Sequence, residues 1–261
     1  MAIREVASSW LELQQLLFDY PPDPHLNRFR SNLVYRGVPT TAARQMATGL
    51  MRLGGDYAAK EKHLIRNFRK YALHDVNAGD SVWHWLAIGQ HYGLPTRLLD
   101  WTFSPYTALH FATSDLALMD DDAIVWCVDR EETGRYLPAE LSQILRKEGA
   151  HLFTAEMLEE ASRRIEDFDT LPGDFVVWLE PPALDSRIVN QYALFSLMSS
   201  PTALLDEWLD ANSVTAREII IPAELKWEVR DKLDQANITE RIIYPGLGGL
   251  SAWLKRHYYT R

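Results

Sequence analysis

The segment from Trp83 to Ala112 constrains the fold of this chain more than any other part of its sequence. A helical pattern at its start breaks at Gly93 and Pro95, an apolar run follows, and Ser104-Pro105 then has N-cap and first-turn chemistry for a second helix. Hydrogen-bonding groups are concentrated between Gln90 and Thr102. A segment with both helical periodicity and polar turn residues predicts a polar site on a rigid support.

The remaining apolar patterns predict an α+β fold with a mixed or antiparallel central sheet and helices clustered in the N-terminal half. Helices are expected over residues 6–18 (N-cap Ser8 or Ser9), 41–53, 57–73, 81–92, 104–112, 138–168 and 223–236, with a last one beginning near Gly249. Strands are expected at Leu33–Gly37, Thr96–Trp101, Ala123–Val128, Phe175–Leu179, Tyr192–Met198, Arg217–Ile221 and Arg241–Tyr244. We expect a single domain over residues 1–261, with a helical acidic insertion at about 130–172.

Charge is distributed unevenly along the chain. The net charge is −9, but residues 28–70 carry ten Arg and Lys against two acidic residues, a local charge of +8. Such a basic first third suits an anionic ligand. The alternative for Lys60, Lys62, Arg66 and Lys70 is that they form the solvent-exposed face of a helix.

Cysteine content and the length of the apolar runs indicate the cellular location to expect for the protein. The only cysteine, Cys127, lies in an apolar run that predicts a buried strand, so no internal disulfide is expected. The first residues do not resemble a secretory signal, and no apolar run reaches the roughly 20 residues that span a bilayer. We therefore expect a soluble cytoplasmic protein with no membrane partner.

Several common active-site motifs are absent from the sequence, among them the G-x-S-x-G elbow, the P-loop and the dinucleotide G-x-G-x-x-G. His84 and His91 lie two helical turns apart but have no third ligand nearby, so no metal is expected. The run Asp120–Asp122 is most simply a solvated turn.

Three polar elements stand within apolar surroundings and are the candidates for a site. Arg36 ends a short strand, Thr96–Asp100 places polar groups between leucines, and Arg187–Phe195 leads an arginine and an amide into an apolar run. Because buried guanidinium and amide groups cost several kcal/mol when unpaired, these insertions predict a polar network or a ligand site. We expect His91 to bond to backbone or to Asp100, and Asp100 and Trp101 to brace the turn.

These elements, in this order, resemble the FRG domain family. The carrying residues are Tyr35-Arg36-Gly37, the block Gln90–Thr102 with Ser104-Pro105 and Ala108–Ala112, the segment Arg187–Phe195, and Pro245–Leu250. The similarity runs from about residue 10 to 255. Two positions depart from the family pattern: Val38 stands where Gln is common, and Ala193 stands where Gly is common. Both departures bear on whether the protein is catalytically active.

The motif order of the family is similar to that of ADP-ribosyltransferase folds, an analogy of fold and order alone. The resemblance implies NAD as substrate, with Arg36 holding its phosphates or ribose, Thr96 supplying a hydroxyl to the nicotinamide pocket, and Gln191 taking the third-strand position. Gly37, Gly93, and Tyr92 or Tyr106 as stacking walls complete the expected NAD site. Glu61 is a spare carboxylate that could point inward.

Three classes of function stay open at this point. The first is an NAD-dependent ADP-ribosyltransferase or NAD-consuming enzyme, such as a microbial toxin or phage-defence effector acting on an acceptor macromolecule. The second is a non-catalytic module that binds a nucleotide or nucleic acid, although the charge of −9 does not favour broad nucleic-acid affinity. The third is a nuclease or phosphotransferase.

Overall fold

A seven-stranded mixed sheet forms the centre of the protein in a computed structural model that describes residues 2–72 and 79–260. Its strands are β1 (Ile3–Val6), β2 (Leu33–Val38), β3 (Leu98–Thr102), β4 (Ala123–Asp129), β5 (Val176–Leu179), β6 (Ala193–Met198) and β7 (Ala216–Ile221). The spatial order is β1-β7-β4-β2-β3-β6-β5. The β1–β7 pair is parallel and every other neighbouring pair is antiparallel.

Helices connect most of the strands. They are α1 (Trp10–Leu17), α2 (Tyr57–Ala72), α3 (Val82–His91), α4 (Pro105–Thr113), α5 (Arg130–Thr133), α6 (Ala139–Glu148), α7 (Ala155–Ala161), α8 (Ile165–Phe168), α9 (Ser186–Gln191), α10 (Leu205–Ala211), α11 (Ala223–Gln235), α12 (Glu240–Ile243) and α13 (Leu247–His257). In the described residues, none of these is both long and apolar enough to cross a membrane.

Alternating side chains of the strands divide the core between the two faces of the sheet. Leu98 packs with α2, α3 and α6–α8, whereas its neighbour Leu99 packs on the opposite face with α10. Tyr35 and Cys127 belong to a third cluster with α1, α4 and α11. Cys127 is buried as expected, and burial raises the pKa of its thiol to about 12, so the thiol stays protonated.

Strands β2 and β3 separate soon after they meet, and this separation creates room at the middle of the sheet. Their register contains one residue pair, Tyr35 with Thr102. Helix α4 lies directly on β2, because a Cβ at Gly37 would stand 1.9 Å from the carbonyl oxygen of Ala108. Helix α4 also contacts β3, so it packs beside the point where the two strands separate.

The structure confirms the α+β class and the mixed sheet. Ser9 is the N-cap of α1, and its hydroxyl accepts from the Glu12 amide. The expected clustering of helices in the N-terminal half is wrong, since α6 to α13 all follow residue 138. The helix expected over 6–18 is shorter, and the strand β1 before it was not predicted. Residue 73, expected to end a helix, lies outside the described residues.

Two other expected elements are wrong. Residues 41–53 form two 3-10 turns, Thr41–Ala43 and Met51–Leu53, because backbone amides between them bond to other parts of the fold. The Met46 amide donates to the Asp206 carboxylate, and the Leu50 amide donates to the Thr96 carbonyl. The strand expected at 241–244 is instead the short helix α12 followed by Tyr244.

Candidate functional site

An open cleft of about 710 Å³ lies over the diverging strands β2 and β3. The C-terminal end of α3 and the following turn, Tyr92–Pro95, form one wall. Arg187 and Gln191 of α9, together with Tyr244, form another wall. Arg52, from the connection between β2 and α2, reaches the same cleft. Elements distant in sequence therefore meet at this cleft.

Three arginines, Arg36, Arg52 and Arg187, line this cleft. None of the three has a carboxylate partner within 4.0 Å among residues 2–72 and 79–260. Guanidinium groups that share a concave site without carboxylate partners are suited to binding an anion, especially a phosphate. The cleft is thus a cationic pocket in a protein of negative net charge.

Arg36 links the two strands at the point where they separate. Its Nη1 donates to the carbonyl oxygen of Asp100 at 2.6 Å. Burial lowers the pKa of the Arg36 guanidinium, the negative charge of Asp100 opposes that change, and the positive charge of Arg52 adds to it. Arg36 and Arg52 thus place two like charges on one cleft, and a bound anion would stabilise both of them.

Arg187 is held on the opposite wall by backbone and by an aromatic ring. Its Nη1 donates to the His91 carbonyl at 3.2 Å, and its guanidinium carbon lies 5.1 Å from the centroid of the Tyr244 ring. The Nε of Arg187 is buried and has no hydrogen-bond partner among the described residues. Asp185 caps α9 through the Arg187 and Ile188 amides and also contacts Nε2 of His91 at 2.9 Å.

That contact corrects one expectation from the sequence. His91 was expected to bond to backbone or to Asp100, but its ring nitrogen contacts Asp185, which stands at the start of α9. His84 contacts Glu156 instead of sharing a site with His91. In the described part of the chain, no group of three or more metal-ligating side chains occurs.

Asp100 is the one carboxylate that lines the cleft among the described residues. Both of its carboxylate oxygens accept from Nε2 of Gln90 at 3.0 Å. The Oε1 of the same amide accepts a hydrogen bond from the Thr96 hydroxyl, whose oxygen in turn accepts from the Leu98 amide at 3.1 Å. This chain of hydrogen bonds joins the turn after α3 to an exposed carboxylate on β3.

The expected site residues fall into two groups. Arg36, Gly37, Tyr92, Gly93 and Gln191 line the cleft. Gly37 lines it with backbone, and its missing side chain leaves space for α4. The Tyr92 ring is 62% exposed, which leaves a face open at the rim.

Thr96 and Tyr106 do not line the cleft, contrary to expectation. Thr96 is 1% exposed and precedes β3, so its hydroxyl reaches the cleft only through Gln90. Tyr106 faces α1 instead: its hydroxyl donates to Gln14 at 2.7 Å, and its ring stacks on Trp10. Because Tyr106 lies on the side of α4 that faces α1, it packs between these two helices.

Gln191 is in the cleft but not on a strand. It is the last residue of α9, and the next residue, Tyr192, adopts a left-handed conformation before β6 begins. Nε2 of Gln191 donates to the Ile243 carbonyl at 3.2 Å. The third-strand position assigned to it is therefore wrong, and the amide connects α9 to α12.

Glu61 faces inward but into a different site. It is 3% exposed and forms a buried ion pair with Arg97, which also pairs with Asp169. The basic segment divides in the same way, since Arg44 binds Glu218 while Arg66 lines a separate groove beside Arg97. The cationic side chains that give residues 28–70 their charge of +8 therefore do not form one continuous surface.

The NAD site expected from the sequence leaves out several residues that line the cleft, among them Arg52, Gln90, Asp100, Arg187 and Tyr244. Asp100 and Arg187 lie inside the motifs that carried the resemblance, so their position there was an available signal. Arg52 belongs to the basic segment 28–70, but the charge of that segment does not single it out among ten cationic residues. Tyr244 gives no comparable signal, because it lies in a segment predicted as a strand that instead forms a helical turn before it.

Comparisons with known proteins add one finding. Searches among curated proteins and among solved structures found no match. The family model of the FRG domain matches residues 31–121, which include Arg36, Arg52 and the whole chain of hydrogen bonds from Thr96 to Asp100. The resemblance seen in the motifs is confirmed for this range: residues 31–121 match the FRG domain.

Proposed function

We propose that the cleft binds the pyrophosphate and ribose of NAD, and that the protein is an NAD-consuming enzyme of the ADP-ribosyltransferase kind. The observation that carries this proposal is the set of three arginines that share the cleft without carboxylate partners. A pyrophosphate carries two negative charges, and arginine can bind it with paired hydrogen bonds.

The aromatic and neutral polar groups of the cleft support a nucleotide rather than a simple anion. Tyr92 at the rim and Tyr244 and Phe111 deeper in the cleft offer rings beside the arginines. Flat nucleobase or nicotinamide rings pack favourably on such side chains. A cleft of about 710 Å³ is within the size range of small-molecule sites, which is about 300–1,000 Å³.

The chemistry requires electrostatic positioning more than a strong acid or base. Breaking the nicotinamide–ribose bond develops positive charge on the ribose while neutral nicotinamide leaves. The proposed substrate would be held by arginine contacts to its phosphates, and its reacting carbon would be placed by the rest of the cleft. The acceptor would be water or a macromolecule.

The first test is binding of NAD and ADP-ribose by isothermal calorimetry to the wild type and to Arg36→Gln and Arg52→Gln. Losing one charge-assisted contact, worth about 1.5–3 kcal/mol, should weaken binding roughly 10- to 100-fold. Arg66→Gln is the matched control, because it removes the same charge from an exposed residue on α2 outside the cleft. Nicotinamide release is then followed by chromatography, with and without cell extract as a source of acceptor.

Unchanged affinity in Arg36→Gln and Arg52→Gln, or no binding by the wild type at millimolar ligand, would rule out the assigned site. Binding without nicotinamide release under any condition would leave the second candidate, a non-catalytic nucleotide-binding module. The anchoring of Gln191 to the Ile243 carbonyl favours that candidate, because it removes the amide from the role expected of a third-strand residue. Nucleic acid as the ligand would instead give affinity that falls steeply with salt.

A further inference from the structure

We propose that Asp100 is the catalytic carboxylate of the cleft, and that Gln90 and Thr96 are positioning residues that orient it. The inference rests on the proposed NAD-consuming function and assigns a part of its mechanism. Asp100 would stabilise the positive charge that develops on the ribose ring as nicotinamide leaves.

Asp100 is an exposed residue within a buried strand. Its neighbours in β3 are buried on both sides, whereas Asp100 is exposed and lines the cleft. An exposed carboxylate at the centre of a sheet is available to a ligand in a way that the buried Glu61 and Glu218 are not.

The Asp100 carboxylate is not paired with the arginines that line the same cleft. Its carboxylate forms no ion pair within 4.0 Å in the described residues, although three guanidinium groups line the same cleft. Arg36 bonds to the backbone carbonyl of Asp100 and not to its carboxylate. Asp100 and Arg36 attract each other without forming an ion pair, so the guanidinium groups are available for phosphates and the carboxylate is available for a developing cation.

Gln90 and Thr96 hold the Asp100 carboxylate in one orientation. Gln90 is a neutral donor, so it orients both oxygens of Asp100 without cancelling their charge. The Gln90 amide cannot turn over freely, because its Oε1 accepts from Thr96 and its Nε2 must then face Asp100. Thr96 is buried and hydrogen-bonded at both its donor and its acceptor, so it acts through Gln90 and not on the ligand.

The proposed reaction needs no oxidant or reductant, and its only reactants are NAD and the acceptor. The bond between the ribose C1′ and the nicotinamide nitrogen breaks, and its electron pair leaves with neutral nicotinamide. An oxygen of water or of an acceptor hydroxyl forms the new bond at C1′ and releases its proton to solvent. Asp100 remains a carboxylate throughout and lowers the energy of the intermediate charge.

The test separates binding from turnover in four variants. Asp100→Asn keeps the size of the side chain, and we expect NAD affinity within threefold of the wild type with nicotinamide release at least 100-fold slower. Thr96→Val should slow release roughly tenfold with a smaller effect on KM, and Thr96→Ser should restore it because the hydroxyl is retained. Asp120→Asn, which alters an exposed carboxylate outside the cleft, is the matched control and should release nicotinamide at the wild-type rate.

Thermal unfolding of each variant identifies loss of fold. If Thr96→Val is unfolded, the comparison of Asp100→Asn with Asp120→Asn still decides the role of the carboxylate. Wild-type turnover with an equally active Asp100→Asn would overturn this inference and leave the proposed function standing. A wild type that binds NAD but never releases nicotinamide would overturn both the catalytic role and the enzymatic function.

Discussion

Gly249 is the residue at which helix α13 crosses the chain that leaves α12. A Cβ built there would stand 1.8 Å from the Tyr244 carbonyl oxygen and 2.5 Å from the Glu240 carbonyl oxygen. Backbone atoms cannot move aside as the end of a flexible side chain can. The adjacent Gly248 has nothing within 4 Å of the same position. The two glycines therefore occupy the same helix but differ in what a methyl group would meet.

We expect Gly249→Ala to lower the free energy of unfolding by at least 2 kcal/mol, through overpacking against the Tyr244 carbonyl. Gly248→Ala should be neutral or stabilise the protein by up to about 1 kcal/mol, since alanine has a higher helix propensity than glycine. Urea unfolding of both variants measures the difference. Because Tyr244 lines the cleft, Gly249→Ala should also weaken NAD binding. Equal stability of the two variants would contradict the close contact.

At the scale of single residues, the sequence indicated which side chains are candidates for a site, but it did not indicate where those side chains point. Arg36 could be predicted because a guanidinium at the end of a strand needs a partner or a ligand. Tyr106 could not be placed, because a tyrosine in an amphipathic helix suits a stacking wall and a helix contact equally well. The role of Thr96 depends on the turn that brings it to Gln90, and a turn's side-chain contacts are not readable from residue spacing.

Helices α4 and α11 enclose a buried pair of basic side chains, His110 and Arg230, both 0% exposed. Nη1 of Arg230 lies 3.0 Å from Nδ1 of His110. Since arginine can only donate, this ring nitrogen is the acceptor and the histidine is neutral. Burial, reinforced by the positive charge of Arg230, lowers the pKa of His110 to about 3.

Because the pKa of His110 is lowered in the folded state, we expect the stability of the protein to fall in acid. In the unfolded chain a histidine binds a proton at a pKa near 6.5, whereas the folded protein keeps His110 neutral. The contribution of neutral His110 to the free energy of unfolding is therefore complete above about pH 6.5 and is lost as pH falls toward 3. His110→Asn retains an acceptor for Arg230 but cannot ionise. We expect the variant to lose stability less steeply than the wild type between pH 7 and 5, by up to about 1.4 kcal/mol per pH unit.

Urea unfolding at pH 7, 6 and 5 measures that slope. His63→Asn is the control, because His63 is exposed on α2 and the substitution should leave the slope unchanged. Identical slopes in the wild type and His110→Asn would show that the histidine is not held neutral by burial.

Elements with strong periodicity were predictable, and those built from long-range contacts were not. The strand β4 and the helix α11 follow from apolar patterns alone. Residues 41–53 have a helical pattern, but the Met46 and Leu50 amides bond to α10 and to Thr96, which prevents a continuous helix. The segment at 241–244 is apolar enough for a strand, yet Glu240 binds Arg256 of α13 and fixes the segment as one helical turn.

At the scale of the whole molecule, the cleft exists because strands from distant parts of the chain are neighbours. Strand β2 lies between β4 and β3, and it contacts β3 at a single registered pair. The sequence predicts the strands but not this order, because pairing between distant antiparallel strands leaves no local pattern. The meeting of Arg36, Asp100 and Arg187 is a product of that order.

One buried carboxylate connects the far edge of the sheet to the cleft. Glu218 on β7 is 1% exposed, and it accepts from Arg4 of the edge strand β1 and from Arg44 of the 39–53 connection. That connection carries Arg52 into the cleft. Burial alone would raise the pKa of Glu218, but the hydrogen bonds from Arg44 and Arg4 lower it overall. These interactions of the ionised Glu218 therefore stabilise the fold at pH values above the ordinary carboxyl pKa.

Glu218→Gln should therefore lower the free energy of unfolding by about 1–3 kcal/mol at pH 7, because two guanidinium groups lose a charged acceptor. The loss should begin to shrink as pH falls below the ordinary carboxyl pKa, and it should disappear only when the wild-type Glu218, whose pKa is lowered by Arg44 and Arg4, is itself protonated. Hydrogen exchange should accelerate at residues 3–6 and 41–53 while the β3–β6 pairing stays protected. Glu180→Gln, an exposed carboxylate after β5, should leave exchange unchanged. Uniform exchange across the sheet in Glu218→Gln would show that this carboxylate does not hold the two segments; local acceleration would link the sheet edge to the position of Arg52.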